Sequence, residues 1–249
     1  MLLYGFHSIA GRLKRAAASI EELYVDGARQ DARMRELIAL AERAGIVPRV
    51  VDAARLDRIA PQRRHQGVAA FASGAIPQVD LYELLDALAE PPLLLLLDGV
   101  TDPRNLGACL RAADGAGAHA VIAPKDRAAS LNEAAIQTAS GAAESVPYVT
   151  VTNLARTMRE LRDRDVFLVG TTDDAPVELH DAQLPAAVGL VLGAEGQGMR
   201  RLTREHCDLL VRIPMAGQVS SLNVAVAAGV VLYEAVRQRR AGASRTRGS

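Results

Sequence analysis

The chain is poor in aromatic residues. Phe, Trp and Tyr together make up 3% of its 249 residues, and tryptophan is absent. This argues against a platform that stacks several single-stranded bases. Net charge is lacking as well, since 29 Lys and Arg side chains balance 29 Asp and Glu side chains. A protein that holds nucleic acid mainly by bulk electrostatics is therefore not expected, whereas a local basic face is compatible with this composition.

Cysteine is equally scarce. Cys109 and Cys207 are the two cysteines of the chain, and no CxxC pair occurs. The five histidines show no metal-ligand spacing, so we expect no metal site. Two buried free thiols of a cytosolic chain are expected rather than a disulfide.

Long hydrophobic runs are also missing. The longest, such as residues 93–97, have five residues, whereas a membrane-spanning helix needs about 18 or more. The N-terminus lacks the charged and apolar regions of a signal peptide. Apolar residues nevertheless make up 49% of the chain, enough for a real core. We therefore expect a soluble, cytoplasmic protein that has no membrane partner.

Charge is unevenly distributed along the chain. Residues 1–73 carry 12 basic and 8 acidic side chains, a net charge of +4, whereas residues 74–92 carry four acids, no base and three prolines. Prolines and a change in charge at such a boundary are typical of a linker between domains. We predict a first domain at 1–73, a linker at 74–92 containing a short helical pattern, and a second domain at 93–240. The Gly-, Ser- and Arg-rich residues 241–249 are predicted to be a disordered tail.

The first domain has the pattern of a small α/β unit. Its apolar periodicity predicts a helix over residues 32–44, ended by Gly45, and strands at 23–25, 49–51 and 68–71.

A basic cluster precedes the last of these strands. It comprises Arg58, Arg63, Arg64 and His65. Such a cluster is either a solvated loop or an edge that contacts RNA phosphates, and the charge of +4 on this domain favours the RNA contact.

The second domain alternates short apolar runs with helical patterns. Helices are predicted at 154–162 and 222–240. Alternation of this kind predicts a mostly parallel sheet covered by helices on both faces, an α/β fold. The predicted strands are 93–97, 120–123, 166–169, 188–192 and 209–213.

Two glycine-rich segments resemble nucleotide-binding signatures without matching them. Residues 115–120 have the spelling GxGxxA but follow a helix and precede a strand, the reverse of the dinucleotide order, so we interpret them as a helix C-cap and turn. Residues 193–198 follow a strand, but their glycines have the wrong spacing. No GxxxxGK[ST] motif occurs. A nucleotide-dependent oxidoreductase or an NTPase is therefore disfavoured.

Three polar, glycine-bearing loops follow predicted strands. They are residues 98–107, 193–198 and 214–221, the last opening the C-terminal helix with Ser221 as its predicted N-cap. In open parallel sheets, ligands bind at the carboxyl ends of the strands. We therefore predict that the three loops build one pocket, where glycine backbone groups read a planar base edge.

These loops also carry a family resemblance. Residues 105–111 (NLGACLR), 192–198 (LGAEGQG) and 213–224 (IPMAGQVSSLNV) resemble, in order and spacing, the three motifs of the SPOUT-class RNA 2′-O-ribose methyltransferases, the TrmH-like family. The resemblance covers nearly the whole chain. It implies a SPOUT catalytic domain at 93–240, whose C-terminal segment forms a trefoil knot, and a substrate-binding domain at 1–73 similar to ribosomal protein L30e. It further implies a homodimer and S-adenosylmethionine as cofactor.

The resemblance also assigns roles to residues of this chain. It implies Arg111 as the catalytic side chain, with four polar residues around it: Asn105, Glu195, Ser221 and Asn223. It places the cofactor against backbone groups of Gly193, Ile213 and Leu222, with Met215 nearby. From the residues alone, Glu195 is equally well interpreted as a loop anchor, and Ser221 and Asn223 as caps of the last helix.

The amino-acid sequence of these motifs is most similar to that of one branch of the family, which methylates a guanosine in the peptidyl-transferase P loop of bacterial 23S rRNA. The implied substrate is this rRNA, naked or as a precursor. Two alternatives stay open: the same chemistry on tRNA or another rRNA site, and a non-catalytic RNA-binding assembly protein with the same fold.

Overall fold

A computed structural model describes residues 1–61, 65–73 and 79–246. The chain divides into two compact units. Unit 1 comprises Met1–Pro77 and Ser140–Ser145, and unit 2 comprises Gln78–Ala139 and Val146–Ser249. The division near residue 77 lies close to the predicted end of the first domain, but the assignment of residues 140–145 to unit 1 differs from the predicted second domain.

Unit 1 is a four-stranded sheet with helices. Its strands lie in the order β1-β4-β2-β3, with β2 and β3 parallel and the other two pairs antiparallel. Asp31 and Asp52 cap α2 and α3 by accepting backbone N–H bonds. The sequence pattern did not predict β1, α1 or α3. In chain order the elements are β1 (Leu2–Tyr4), α1 (Phe6–Ala16), β2 (Ile20–Asp26), α2 (Ala32–Arg43), β3 (Arg49–Val51), α3 (Ala53–Ile59) and β4 (Val68–Ala72).

Unit 2 contains the remaining elements, except for one short helix. In chain order they are α4 (Leu81–Asp86), β5 (Leu93–Asp98), α5 (Pro103–Ala116), β6 (Ala120–Pro124), α6 (Glu133–Ala139), α7 (Ala142–Ser145, which belongs to unit 1), β7 (Tyr148–Val151), α8 (Leu154–Arg162), β8 (Phe167–Thr171), β9 (Val177–Glu178), β10 (Val188–Gly193), α9 (Arg201–Glu205), β11 (Leu209–Arg212) and α10 (Val224–Thr246).

Helix α7 joins unit 1 through a buried ion pair. The guanidinium of Arg12 donates to both carboxylate oxygens of Glu144, over 2.9 Å from Nε and 2.8 Å from Nη2. Their side chains are 0% and 1% exposed. Gly11 lies so close that a Cβ there would overlap the Glu144 carbonyl group. These contacts, between residues 132 positions apart, explain why a short segment leaves the predicted second domain.

The sheet of unit 2 is parallel, which confirms the predicted α/β class. Its strand order is β7-β6-β5-β10-β8-β11-β9, and each neighbouring pair is parallel. All residues of β5 are buried, as expected of a central strand covered on both faces. The short strands β7 and β9 escaped prediction because neither has a continuous apolar run. The trefoil knot stays a prediction.

Helix α5 carries the first motif and has clear start and stop signals. Asp102 accepts a hydrogen bond from the Arg104 N–H as N-cap, Pro103 opens the helix, and Gly117 ends it with φ of 71°. The predicted C-cap and turn at 115–120 is thus confirmed. Gly107 has a packing role, because a Cβ there would overlap the carbonyl oxygen of Ala135 in α6.

The two segments predicted to be least ordered differ from expectation. In the linker, α4 buries Leu81 in the core of unit 2 beside Leu94 and Leu96, so residues 79–92 are part of that unit. Helix α10 continues to Thr246, so most of the predicted disordered tail is helical, as its alanines and arginine favour.

Both cysteines are free thiols, as predicted, but only Cys109 is buried, whereas Cys207 is partly buried. Burial raises the pKa of Cys109 and of Cys207 to about 12, so neither thiol supplies a thiolate nucleophile near neutral pH. Within the described part of the chain, no helix has the length and apolar character to cross a membrane.

Candidate active site

A cavity of about 430 Å³ lies at the carboxyl ends of three neighbouring strands, β8, β10 and β11. Its size falls in the range of small-molecule sites. The start of α10 contributes Val224 and Ala227 to its wall. Six residues that the sequence predicted for the site line this cavity together: Gly193, Glu195, Ile213, Met215, Ser221 and Leu222.

The loop after β10 folds back on itself as a tight turn. Ala194 and Gly198 exchange two backbone hydrogen bonds, of 3.1 and 2.8 Å, on either side of Glu195. Gly196 and Gly198 have positive φ angles of 76° and 67°, which glycine adopts without steric cost. A Cβ on Gly193 would overlap the Gly198 carbonyl carbon. The glycines of this motif are therefore required by the loop itself, which exposes Glu195 at the cavity.

One wall of the cavity comes from a strand end that the sequence prediction missed. The loop after β8 lines it with Thr171, Thr172, Asp173 and Asp174. Thr171 is paired with Leu192 of β10 on one side and with β11 on the other. The loop after β5, which we predict to contribute to the same pocket, supplies none of these lining residues. Strand β8 lies between the two motif strands. The sequence did contain a signal for this wall, because polar residues follow the predicted strand at 166–169.

The hydroxyl of Thr171 is an unusual feature of this wall. Its Oγ1 atom is buried and has no hydrogen-bond partner among the described residues. Buried polar atoms nearly always have a partner, and an orphan requires an explanation. Because Thr171 lines the cavity, a bound ligand is a natural partner for its hydroxyl.

Acidic groups give the cavity its electrostatic character. Asp174 accepts hydrogen bonds from the Thr172 hydroxyl over 2.7 Å and from Arg204 over 2.9 Å. These bonds, with that from Thr172 the larger influence, hold the pKa of Asp174 below its usual value, so its carboxylate is ionised at neutral pH. Asp173 and Glu195 also line the cavity. With three carboxylates and one arginine on its wall, the cavity suits a ligand that carries positive charge.

A buried carboxylate ties the first loop to the second. Asp98, at the end of β5, is 1% exposed. It accepts bonds from the Arg200 backbone N–H over 2.8 Å and from its Nε over 2.6 Å. Arg200 follows directly on the loop after β10. The sequence prediction included Asp98 only as the start of a loop and did not identify this contact.

The first and third motifs meet through two asparagine side chains. Asn223 Nδ2 donates to Asn105 Oδ1 over 3.0 Å. Asn223 Oδ1 in turn accepts the Ala225 N–H over 3.0 Å, one residue after α10 begins at Val224. Asn223 is therefore the N-cap of the helix, and the prediction of Ser221 as cap is wrong. Neither asparagine belongs to the cavity lining.

Arg111 is exposed on α5 and does not line the cavity. Helix α5 lies against α10, where the Tyr233 hydroxyl donates to the Gly115 carbonyl over 3.1 Å. Within one chain, Arg111 is therefore on the exposed surface of α5 and outside the cavity lining.

The predicted RNA-binding cluster lies partly outside the described residues. That applies to Arg63 and Arg64. Arg58 is in the last turn of α3. His65 Nε2 lies 3.0 Å from Asp57 Oδ1, and His65 Nδ1 accepts the Gly67 N–H over 3.0 Å. Through these two contacts, His65 stabilises the turn before β4. In the described ranges, no cluster of three or more His, Cys, Asp and Glu side chains is arranged to hold a metal ion.

Two family profiles match the chain. The SpoU rRNA Methylase family matches residues 92–233, and a profile described as RNA 2′-O ribose methyltransferase substrate binding matches residues 2–77. The first match contains the whole cavity, and the second contains the sheet of unit 1.

Curated relatives match over nearly their full length. RlmB of Ralstonia nicotianae, a 23S rRNA (guanosine-2′-O-)-methyltransferase, is 58% identical over 238 residues, 96% of each chain. RlmB of Neisseria meningitidis serogroup B is 52% identical over 237 residues, 95% of each chain. Among solved structures, the SpoU methyltransferase AviRb of Streptomyces viridochromogenes, in complex with the cofactor AdoMet, matches with a TM-score of 0.70 and 28% identity over 97% of this chain and 91% of AviRb.

Proposed function

The chain belongs to the SpoU rRNA methylase family, and we propose that it methylates the ribose 2′-oxygen of a guanosine in the peptidyl-transferase P loop of 23S rRNA. The chain is an RNA 2′-O-methyltransferase that acts on a 23S rRNA guanosine, as its relatives at 52–58% identity are named. It uses S-adenosylmethionine, the cofactor bound in the structure of AviRb. The P loop as target, naked or precursor rRNA as the form recognised, and the cytoplasm as location are the finer parts of the proposal.

The observation that carries the proposal is the convergence of distant motif residues on one cavity. Gly193, Ile213 and Leu222, which the family resemblance assigns to cofactor binding, all line it. Gly193 and Ile213 lie at the ends of the two strands that flank β8, and Leu222 lies just before α10. The carboxyl end of a parallel sheet is where such folds bind ligands.

The cavity suits S-adenosylmethionine in shape and charge. Its carboxylates match the positive charge of the sulfonium and ammonium groups, and the orphan Thr171 hydroxyl offers a hydrogen bond that no described residue supplies. In this proposal, backbone groups of Gly193, Ile213 and Leu222 hold the cofactor, with Met215 beside it. When bound, the cofactor supplies the methyl group on an activated sulfonium carbon.

The remaining task of the protein is to align the ribose and help its 2′-oxygen lose a proton. Arg111 is permanently protonated and has no acceptor, so it does not serve as the base. We assign to it stabilisation of the developing negative charge on the 2′-oxygen, or fixation of the adjacent phosphate, which accepts the proton from the 2′-hydroxyl. Asn105 and Asn223 position the first motif against the third, and Glu195 and Ser221 face the cavity.

A homodimer is part of the proposal. Val226 and Tyr233, seven positions apart on one face of α10, are each 54% exposed, and large apolar side chains exposed together on a surface mark contacts with other proteins. Arg111 lies on the adjoining α5. We assign this stripe to the interface between two copies, and sedimentation of a Val226→Glu variant tests it: the expected product is a monomer.

The test of the function is methyl transfer from labelled S-adenosylmethionine. The substrates are 23S rRNA, 16S rRNA and bulk tRNA from cells that lack this protein, followed by mapping of 2′-O-methyl positions. Label on a P-loop guanosine is the expected result. Label on tRNA or at another rRNA position would keep the chemistry and overturn the target. Absence of both label and cofactor binding would favour a non-catalytic RNA-binding role.

A further inference from the structure

Unit 1 has a groove of about 380 Å³ between α1 and α2. Its floor is apolar, formed by Phe6, Ala10, Leu37 and Leu40. Its rim is polar and exposed, and all of the rim residues come from the two helices: His7, Lys14, Arg33, Glu36 and Arg43.

The charge of this rim is strongly one-sided. Lys14, Arg33 and Arg43 face one acid, Glu36. In the described ranges none of these three cations forms a salt bridge, whereas Arg29 and Arg49 of the same unit are paired with carboxylates. Three cations and one acid leave an excess of two positive charges around the groove, as is typical of an anion-binding surface.

The combination of an apolar floor and a cationic rim fits a nucleic acid strand. The cationic rim attracts the phosphates of the strand, and a ribose or an unstacked base covers the apolar floor. On the basis of the proposed rRNA substrate, we propose that this groove binds single-stranded rRNA through phosphate contacts to Lys14, Arg33 and Arg43. It is formed by α1 and α2, and is therefore a contact additional to the cluster at 58–65 predicted from the sequence.

A matched pair of arginines on one helix tests the inference. Arg33 and Arg35 are both exposed on α2, but only Arg33 lines the groove. The full-length Arg33→Ala and Arg35→Ala variants, and the triple variant Lys14→Ala/Arg33→Ala/Arg43→Ala, are compared for binding to unmodified 23S rRNA transcript over a range of KCl concentrations. Thermal unfolding and S-adenosylmethionine binding by calorimetry serve as controls.

The expected result is a loss specific to the groove. Each phosphate contact removed lowers the salt slope of log K by about 0.7 to 1. The triple variant then loses about two to three units of slope and binds RNA about 50-fold more weakly, with cofactor affinity and melting temperature unchanged. Arg33→Ala loses about fourfold, whereas Arg35→Ala binds like the unsubstituted chain.

Two outcomes distinguish this inference from the proposed function. If the triple variant binds and methylates 23S rRNA with the affinity and salt slope of the unsubstituted chain, the groove is not an RNA site. Its cationic rim would then be left to another anionic ligand, such as an acidic protein segment. If the unsubstituted chain binds cofactor but neither binds nor methylates 23S rRNA, the substrate assignment itself is overturned.

Discussion

The side-chain amide of Asn223 donates to the side-chain oxygen of Asn105 over 3.0 Å, joining residues 118 positions apart. The same Asn223 caps α10 through its oxygen. One residue therefore fixes both the start of the last helix and its contact with the first motif. These two roles are separable by substitution.

We predict that Asn223→Ala lowers the free energy of unfolding by about 1 kcal/mol, because it removes the N-cap. Asn223→Ser retains a capping oxygen and keeps most of that stability, but its short side chain does not reach Asn105. Chemical denaturation separates the two. Methyl transfer is expected to fall in both variants and in Asn105→Ala. Full activity of Asn105→Ala would contradict the positioning role.

Arg111→Ala is expected to fold and to bind S-adenosylmethionine normally, because its side chain is exposed and does not line the cavity. Turnover is expected to fall about 100-fold, the scale of losing one group that stabilises developing charge. Single-turnover kinetics at saturating RNA measure this effect. Arg111→Lys, which keeps the charge without the planar fork, is expected to recover part of the rate. A rate near that of the unsubstituted chain in Arg111→Ala would remove Arg111 from the mechanism.

Thr171→Val is expected to change stability and cofactor affinity in opposite directions. The variant removes a buried hydroxyl that lacks a partner, so the free energy of unfolding without cofactor rises by about 1 kcal/mol. The same change leaves a polar atom of the cofactor unpaired and weakens its binding about tenfold. Calorimetry and thermal unfolding measure the two effects. Thr171→Ser, which keeps the hydroxyl, is the control, and unchanged affinity in Thr171→Val would show that the hydroxyl does not face the ligand.

Arg12→Met is expected to destabilise the protein by about 3 to 5 kcal/mol, because it leaves the carboxylate of Glu144 buried without its main counter-charge. The double variant Arg12→Met/Glu144→Leu is expected to recover more than half of this loss, since it removes both charges. Urea denaturation of the three proteins tests the prediction. Equal losses in the single and double variants would show that packing, and not charge, holds the segment at 140–145.

Much of the site was predictable because its motif segments follow buried apolar strands. A run such as residues 188–192 is a strand whichever neighbours it has, and its loop must lie at the carboxyl edge of a parallel sheet. The loops at 193–198 and 214–221 could therefore be expected together, whereas the assignment of Gly193, Ile213 and Leu222 to the cofactor rests on the family resemblance.

The missed residues depend on strand order and on distant contacts. Nothing in the periodicity of the sequence places β8 between β10 and β11, so the polar residues after the 166–169 run marked a strand end but not its position at the cavity. Asp98 and Arg200 are 102 positions apart, and their pairing has no local signal. The same is true of Arg12 and Glu144, which explains why the segment at 140–145 was predicted as part of the second domain and not of the first.

The most direct test of the account is a crystal structure of the protein with S-adenosylhomocysteine, the product form of the cofactor. The account predicts that this ligand occupies the cavity at the ends of β8, β10 and β11, contacts backbone atoms of Gly193, Ile213 and Leu222, and lies within hydrogen-bond distance of Thr171 Oγ1. A ligand bound elsewhere on the protein, with this cavity empty, would contradict it.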